Sequence, residues 1–257
     1  MRGKERVRDG LNGPSLIPAG RWAKLLELAL FPTLCKTCGR LLDSPGERVL
    51  CRACLDEITP SRLPACPRCG RFFDGAGDPH LCADCLTGPP PFSLQRSGAK
   101  YRGRLKDALL LFKYRKFRPL GRALARFVHE TERRNDALWN GLDVIIPVPL
   151  HALRARERGF NQAAVLAREL GKLSGLPVET GVLRKIRNAP PQTSLERAGR
   201  QTSVRGAYRA SHPERVLGRT VLLVDDVYTT GSTLRECAAV LAASGAKEIR
   251  AITVAQA

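Results

Sequence analysis

No stretch of this 257-residue chain approaches the ~18 consecutive apolar residues that a membrane-crossing helix requires. Its first residues, Met1 to Arg8, are charged and lack the apolar segment that directs secretion, so the expected location is the cytoplasm. Acidic residues are scarce as well: 24 Asp and Glu stand against 43 Lys and Arg, a formal net charge of +19. The deficit is local. Residues 91–140 hold 13 basic and four acidic side chains, residues 141–217 hold 13 and six, and residues 218–257 are balanced. Such a surplus favours anionic ligands, polyphosphates or nucleic acid, although a solvated basic face has the same composition. With 43% hydrophobic residues the chain has enough apolar material for one sizeable core and an appendage.

Cysteine, by contrast, is plentiful near the start. Eight of the nine fall in four Cys-x-x-Cys knuckles: Cys35/Cys38, Cys51/Cys54, Cys66/Cys69 and Cys82/Cys85. In a cytosolic chain this spacing reads as metal binding before redox dithiols, because two thiolates of one knuckle point at one tetrahedral centre. The block is duplicated: Cys35 to Cys66 and Cys51 to Cys82 are both 31 positions apart, and each copy reads Cys-x-x-Cys-Gly and then Cys-x-x-Cys-Leu. Gly39 and Gly70 supply the positive φ that turns backbone N–H groups toward sulfur. Two structural zinc sites are expected, Cys35, Cys38, Cys51 and Cys54 forming one and Cys66, Cys69, Cys82 and Cys85 the other, with a crossed pairing or a single occupied site as alternatives. His80 beside Cys82 reads as an ordinary loop histidine. The expected organisation is a tail and short helix over residues 1–34, a double zinc ribbon over 35–87, a stiff Gly-Pro-Pro-Pro linker at Gly88 to Pro91, and one larger domain over 91–257.

The larger domain is organised around Val221 to Thr233, Val-Leu-Leu-Val-Asp-Asp-Val-Tyr-Thr-Thr-Gly-Ser-Thr. A buried strand runs into paired acids, then a hydroxyl-rich loop, then a helical pattern at Leu234, Cys237, Ala238 and Leu241. A loop closed by the first turn of a helix presents unpaired N–H groups and the positive end of the helix dipole, which suits phosphate. Thr229, Thr230, Ser232 and Thr233 add hydroxyls and Gly231 permits close approach, while Asp225 and Asp226 stand where sugar hydroxyls or a hydrated Mg²⁺ would lie. A ribose 5-phosphate bearing a pyrophosphate asks for all of these. A receiver domain also ends such a strand in two acids, but there the strand opens its domain.

Asp143 to Val148 is a second buried strand, and the segment after it brings Arg154, Arg156, Arg158, Asn161 and Gln162 to the strand's carboxyl end, ahead of a helix from about Ala163 to Leu173. In an open α/β sheet those ends converge on one crevice, so the arginines are expected to share a site with Asp225 and Thr230; a merely exposed basic loop is the alternative. Arginine forks suit a diphosphate and its developing charge. Leu183 to Tyr208 is long and basic, and Arg184, Lys185, Arg187, Gln192 and Arg200 are candidate lid residues that would exclude water; a plain surface loop is the alternative. Tyr101 to Val128 reads as amphipathic helix broken at Pro119, with ligand contact by Lys113 and Arg115 left open. Cys237 reads as core.

At the acidic pair and Thr-Thr-Gly-Ser-Thr the sequence resembles the 5-phosphoribosyl-1-pyrophosphate (PRPP) motif of type I phosphoribosyltransferases. That resemblance implies that Thr229 to Thr233 hold the 5-phosphate and that Asp225 and Asp226 contact the ribose hydroxyls. The cysteine repeat, the Pro-Val-Pro-Leu-His-x-x-Arg-x-Arg segment, the Arg-Lys-x-Arg-Asn-x-Pro-Pro-Gln segment and the PRPP loop, in that order, resemble the ComF (competence protein F) family. One departure is Ser203, where many members have Asn. The resemblance implies an α/β fold, a phosphoribosyltransferase-type parallel sheet flanked by helices and preceded by a double zinc ribbon, with PRPP and Mg²⁺ as ligands and a role in DNA uptake. Two functions stay open: transfer of the phosphoribosyl group to an unknown acceptor, or non-catalytic handling of single-stranded DNA with other uptake proteins. Thr229 stands where hypoxanthine-type relatives have an acid, which weakens a purine acceptor. No acceptor hood is expected after the strand Ile249 to Val254, so acceptor recognition falls to residues 91–140 or to the zinc module.

Overall fold

Apolar runs without polar alternation belong to strands covered on both faces, and several in one chain imply a parallel sheet. The computed structural model, which describes residues 33–42, 49–75, 77–187 and 206–257, has that sheet. Its elements are helices α1 (Arg52–Asp56) and α2 (Ala83–Thr87), strand β1 (Leu94–Lys100), helices α3 (Gly103–Tyr114), α4 (Leu120–Glu132) and α5 (Asp136–Trp139), strand β2 (Val144–Pro147), helices α6 (Ala152–Arg158) and α7 (Gln162–Ser174), strands β3 (Leu183–Lys185), β4 (Tyr208–Ala210) and β5 (Thr220–Tyr228), helix α8 (Ser232–Ala243) and strand β6 (Glu248–Gln256). The order across the sheet is β1-β6-β5-β2, every neighbouring pair parallel. β3 and β4 form a separate antiparallel ribbon.

Strand alternation divides the core. Val144, Ile146, Val221, Leu223, Ile249 and Ala251 share one cluster with Leu234, Cys237, Ala238 and Leu241 of α8 and with Leu183 and Tyr208 of the ribbon. α4 and α7 pack on each other, α4 also against β1 and β6 and α7 against β2 and β5. The helical stretch expected from Tyr101 to Val128 is two helices separated at Pro119, since proline lacks an N–H and its ring obstructs the preceding turn.

The chain divides into two compact units, Met1–Cys51 and Arg52–Ala257. The division falls inside the cysteine repeat, so the second half of the repeat belongs to the unit that contains the sheet. In that unit Cys66, Cys69, Cys82, Cys85 and Phe92 are part of the same buried cluster as Leu223 and Leu234. No helix among the described residues is long and apolar enough to cross a membrane.

Candidate functional site

The two halves of the cysteine repeat fold alike. Cys35 N donates to Arg40 O at 2.7 Å and Gly39 N to Cys35 O at 2.9 Å; 31 positions on, Cys66 N donates to Arg71 O and Gly70 N to Cys66 O, both at 2.9 Å. Each knuckle turns at its glycine, φ 75° at Gly39 and 62° at Gly70, a region that costs a side chain ~1–2 kcal/mol. The sulfurs of Cys35, Cys38, Cys51 and Cys54 lie within 4.8 Å of one another, as do those of Cys66, Cys69, Cys82 and Cys85. This is the consecutive pairing, and four thiols converging on one point are the donor set of a structural zinc. Against burial, backbone N–H groups of Cys38, Cys51 and Thr37 draw the Cys35 thiol down to about 6, and those of Cys82, Cys69 and Arg68 draw Cys66 to about 7. Such groups stabilise thiolates, the form that binds metal. His80 is not among the converging groups; its ring stacks on Phe73 with centroids 4.1 Å apart.

The phosphate-loop candidate closes the central strand. β5 continues through the acids to Tyr228, so Asp225 pairs with Thr253 and Tyr228 with Gln256 of β6, and the loop proper is only Thr229 to Gly231. The expected loop, Thr229 to Thr233, is thus shorter by two residues, because Ser232 and Thr233 already belong to α8. Gly231, at φ 76°, is the N-cap of α8 and has no side chain to cap it, while Ser232 N donates to Thr230 Oγ1 at 3.4 Å. Thr230 and Ser232 hydroxyls hydrogen-bond at 2.7 Å. Helix start, loop hydroxyls and Asp225 and Asp226 occupy the same end of the sheet.

Asp226 is 8% exposed and its Oδ1 lies 3.0 Å from Lys113 Nζ. Burial opposes that ammonium, but Asp226 and then Asp225 outweigh it and hold Lys113 above the usual lysine value. Sequence reasoning left Lys113 open; its place is decided by how α3 crosses the sheet. Asp225 Oδ1 accepts from Asp226 N at 2.8 Å, yet burial followed by the charge of Asp226 pushes its carboxyl up to about 7. Lys185 lies nearby on β3, its Nζ 5.3 Å from the centroid of the Tyr208 ring, and burial lowers its pKa.

The arginines are placed less uniformly than expected. Arg154, Arg156 and Arg158 lie on the short helix α6 instead of an irregular loop. Arg154 interacts electrostatically with Lys185, as Asp225 does, and its Nη1 is 3.4 Å from Glu157. Arg158 donates to Gln162 Oε1 at 3.2 Å and stands over the Tyr114 ring at 5.4 Å. Arg156 is exposed. Asn161 does not face a ligand: its amide donates to Val148 O and its oxygen caps α7 through Ala163 N. The ends of the expected lid form the β3–β4 ribbon, Arg184 pairing with Arg209 and Lys185 with Tyr208, and Arg187 follows. Gln192, Arg200 and Ser203 lie outside the described residues.

A phosphoribosyl transferase domain model matches residues 120–257 and a double zinc ribbon domain model residues 26–86. The DNA utilization protein YhgH of Escherichia coli strain K12 is 31% identical over 91% of this chain and 95% of its own length. Competence protein F of Haemophilus influenzae is 32% identical over 54% of this chain and 61% of its own length, so the aligned part spans less than two thirds of that relative. Competence protein ComFC of Bacillus subtilis is 35% identical over 40% of this chain and 39% of its own. Lys113 precedes the residues that the transferase model matches. With both domain models in order along one chain and YhgH similar over nearly all of it, the protein belongs to the competence protein F/YhgH family, a double zinc ribbon with a phosphoribosyl transferase domain.

Proposed function

We propose that the protein binds PRPP with Mg²⁺ at Asp225, Asp226 and the Thr229 to Thr233 loop, and transfers its phosphoribosyl group to an acceptor. The observation that carries this reading is the juxtaposition, at the end of β5, of two carboxylates with a hydroxyl-bearing loop that opens a helix whose N-cap is a glycine. The loop takes the 5-phosphate, and the acids accept hydrogen bonds from the ribose hydroxyls. Bound Mg²⁺ neutralises pyrophosphate charge. Because Asp226 already has an ammonium partner, the acids fit sugar hydroxyls and metal-bound water better than direct ligation. In transfer, a nucleophilic atom of the acceptor bonds to C1 of the ribose, and the C1–O bond to pyrophosphate breaks with its electron pair on oxygen. The acceptor's proton passes to solvent or a base. Lys185 and Arg154 supply positive charge on the leaving-group side, and Arg184 and Arg187 are candidates to close over it. Calorimetry tests the reading: replacing Asp225 and Asp226 by Asn is expected to cost about 3–6 kcal/mol of PRPP affinity, two charge-assisted contacts at ~1.5–3 each. Unchanged affinity in a folded double variant rules the site out.

A second reading, handling of single-stranded DNA without turnover, has its own observation. Tyr114 is 63% exposed beside the Arg158 guanidinium, in a stretch with Arg115 and Lys116, and aromatic rings next to cations are what splayed bases stack on. The names of the relatives, competence and DNA utilization proteins, agree with it. The location proposed for both activities is the cytoplasm.

A further inference from the structure

The second cysteine cluster is built into the sheet. Gln256, at the end of β6, accepts a hydrogen bond from Phe72 N at 2.6 Å and donates to Gly70 O at 3.0 Å, so one amide holds the knuckle by two backbone groups. Gln95 N of β1 donates to Arg68 O at 2.8 Å. Gly70 comes so near β1 that a Cβ there would meet Gln95 O at 2.5 Å. The residue opposite Gln256 on β5 is Tyr228, which directly precedes the phosphate loop.

Tyr228 reaches both sides. Its phenol is buried in one cluster with Cys69, a sulfur of the second site, and after burial the Cys69 charge is the next cause that raises its pKa. A Cβ placed on Gly231 would sit 2.5 Å from the Tyr228 hydroxyl oxygen and 2.7 Å from the ring carbon bearing it, so the phenol lies directly against the backbone of the loop. The side chain is buried with the four cysteines and Leu234 of α8, and water does not compete for its hydroxyl.

We propose that Tyr228 is a positioning residue that ties the phosphate loop to the second zinc site, so that metal held by Cys66, Cys69, Cys82 and Cys85 fixes the loop's shape for PRPP. This rests on the PRPP reading above. A metal-bound thiolate keeps negative charge and is a strong acceptor for a phenol hydrogen bond; without metal the four sulfurs repel or protonate and the knuckle loses the geometry that aims Cys69 at Tyr228. Coupling of this kind is reciprocal, so PRPP on the loop must also be felt at the metal.

Tyr228→Phe removes the hydroxyl and keeps the ring. In protein with cadmium in place of zinc, the two clusters give separate cadmium NMR resonances. The variant is expected to retain two metal ions, to move one resonance and leave the other, and to bind PRPP about 3–10-fold more weakly, the loss of one hydrogen bond. PRPP added to the wild type is expected to move that same resonance, and in Tyr228→Phe to leave it in place. Both resonances unmoved by the substitution, or unmoved by bound PRPP, overturns the proposal. A variant that does not fold leaves the wild-type titration to decide. Should calorimetry find no PRPP binding to wild-type protein, the functional reading fails instead, and loop amide exchange decides the tether: faster exchange at 229–233 in Tyr228→Phe supports it, an unchanged rate overturns it.

Discussion

Asp225 and Asp226 are adjacent in sequence yet held in opposite ways. Lys113 pairs with Asp226 in surroundings that leave the two side chains 16% and 12% exposed, and breaking a pair so enclosed leaves a carboxylate beside another carboxylate. Lys113→Met is therefore expected to lower unfolding stability by about 3–5 kcal/mol, read from the urea midpoint, and to weaken PRPP binding as well. For Asp225 the prediction concerns pH. An acid lifted from 3.8 to about 7 in the folded protein keeps a proton that the unfolded chain has released. Its contribution is then greatest at acid pH, falls as pH climbs from about 4 to about 7, and is flat above. Asp225→Asn is expected to shrink the drop in thermal midpoint between pH 5 and pH 8; a drop as large as in the wild type contradicts it. The acids were legible in the sequence because binary patterning gives no reason for two carboxylates at the end of a buried strand. Lys113 was not, since its spacing along α3 is that of any amphipathic helix.

The two knuckles allow a comparison between elements of the same local fold. Gly39 and Gly70 both have positive φ, but a Cβ on Gly39 meets nothing within 4 Å whereas one on Gly70 runs into the Gln95 backbone. Gly39→Ala is expected to cost only the ~1–2 kcal/mol of the left-handed conformation. Gly70→Ala adds a backbone collision that no rotamer relieves, so its thermal midpoint should fall clearly further, and equal losses would mean that the knuckle moves freely off β1. Here the repeat was legible from spacing alone, and so was the glycine's role in turning toward sulfur. Its second role was not, because it depends on a strand that follows 25 positions later. The same holds for α6: its sequence reads as a basic loop, and the turn of helix comes from His151, whose Nδ1 caps it through Leu153 N, and from Gly159 at φ 77°.

At the scale of the molecule, two zinc ions per chain are expected by elemental analysis of protein purified without added metal. A modular zinc ribbon would let chelation unfold the cysteine region and spare PRPP binding; with Cys66 to Cys85 in the core of the sheet, stripping the second site is expected to impair both together. Charge belongs to this scale too. If the basic surplus of residues 91–217 carries single-stranded DNA, log affinity falls with log salt by ~0.7 per phosphate, so about five contacts give a slope near −3.5. PRPP is expected to leave that DNA bound, since the loop is small whereas a strand needs an open track, and a flat salt dependence removes the nucleic-acid reading. By itself the sequence determined the α/β class, the eight cysteines in metal-site spacing, the strand and helix that frame the candidate loop, and the acids at its mouth, while the consecutive pairing of the knuckles came from the fold. What the sequence determined is local: each part is written within one strand, one turn or one knuckle, where spacing alone specifies which groups face one point. Only the tertiary structure decided that Lys113 meets Asp226, that Asn161 serves its helix instead of a ligand, and that Tyr228 lies between Cys69 and Gly231. Lys113 and Asp226 are about 110 positions apart and Cys69 and Tyr228 about 160, and what brings such distant segments together is the order β1-β6-β5-β2, which sets the first described strand beside the last.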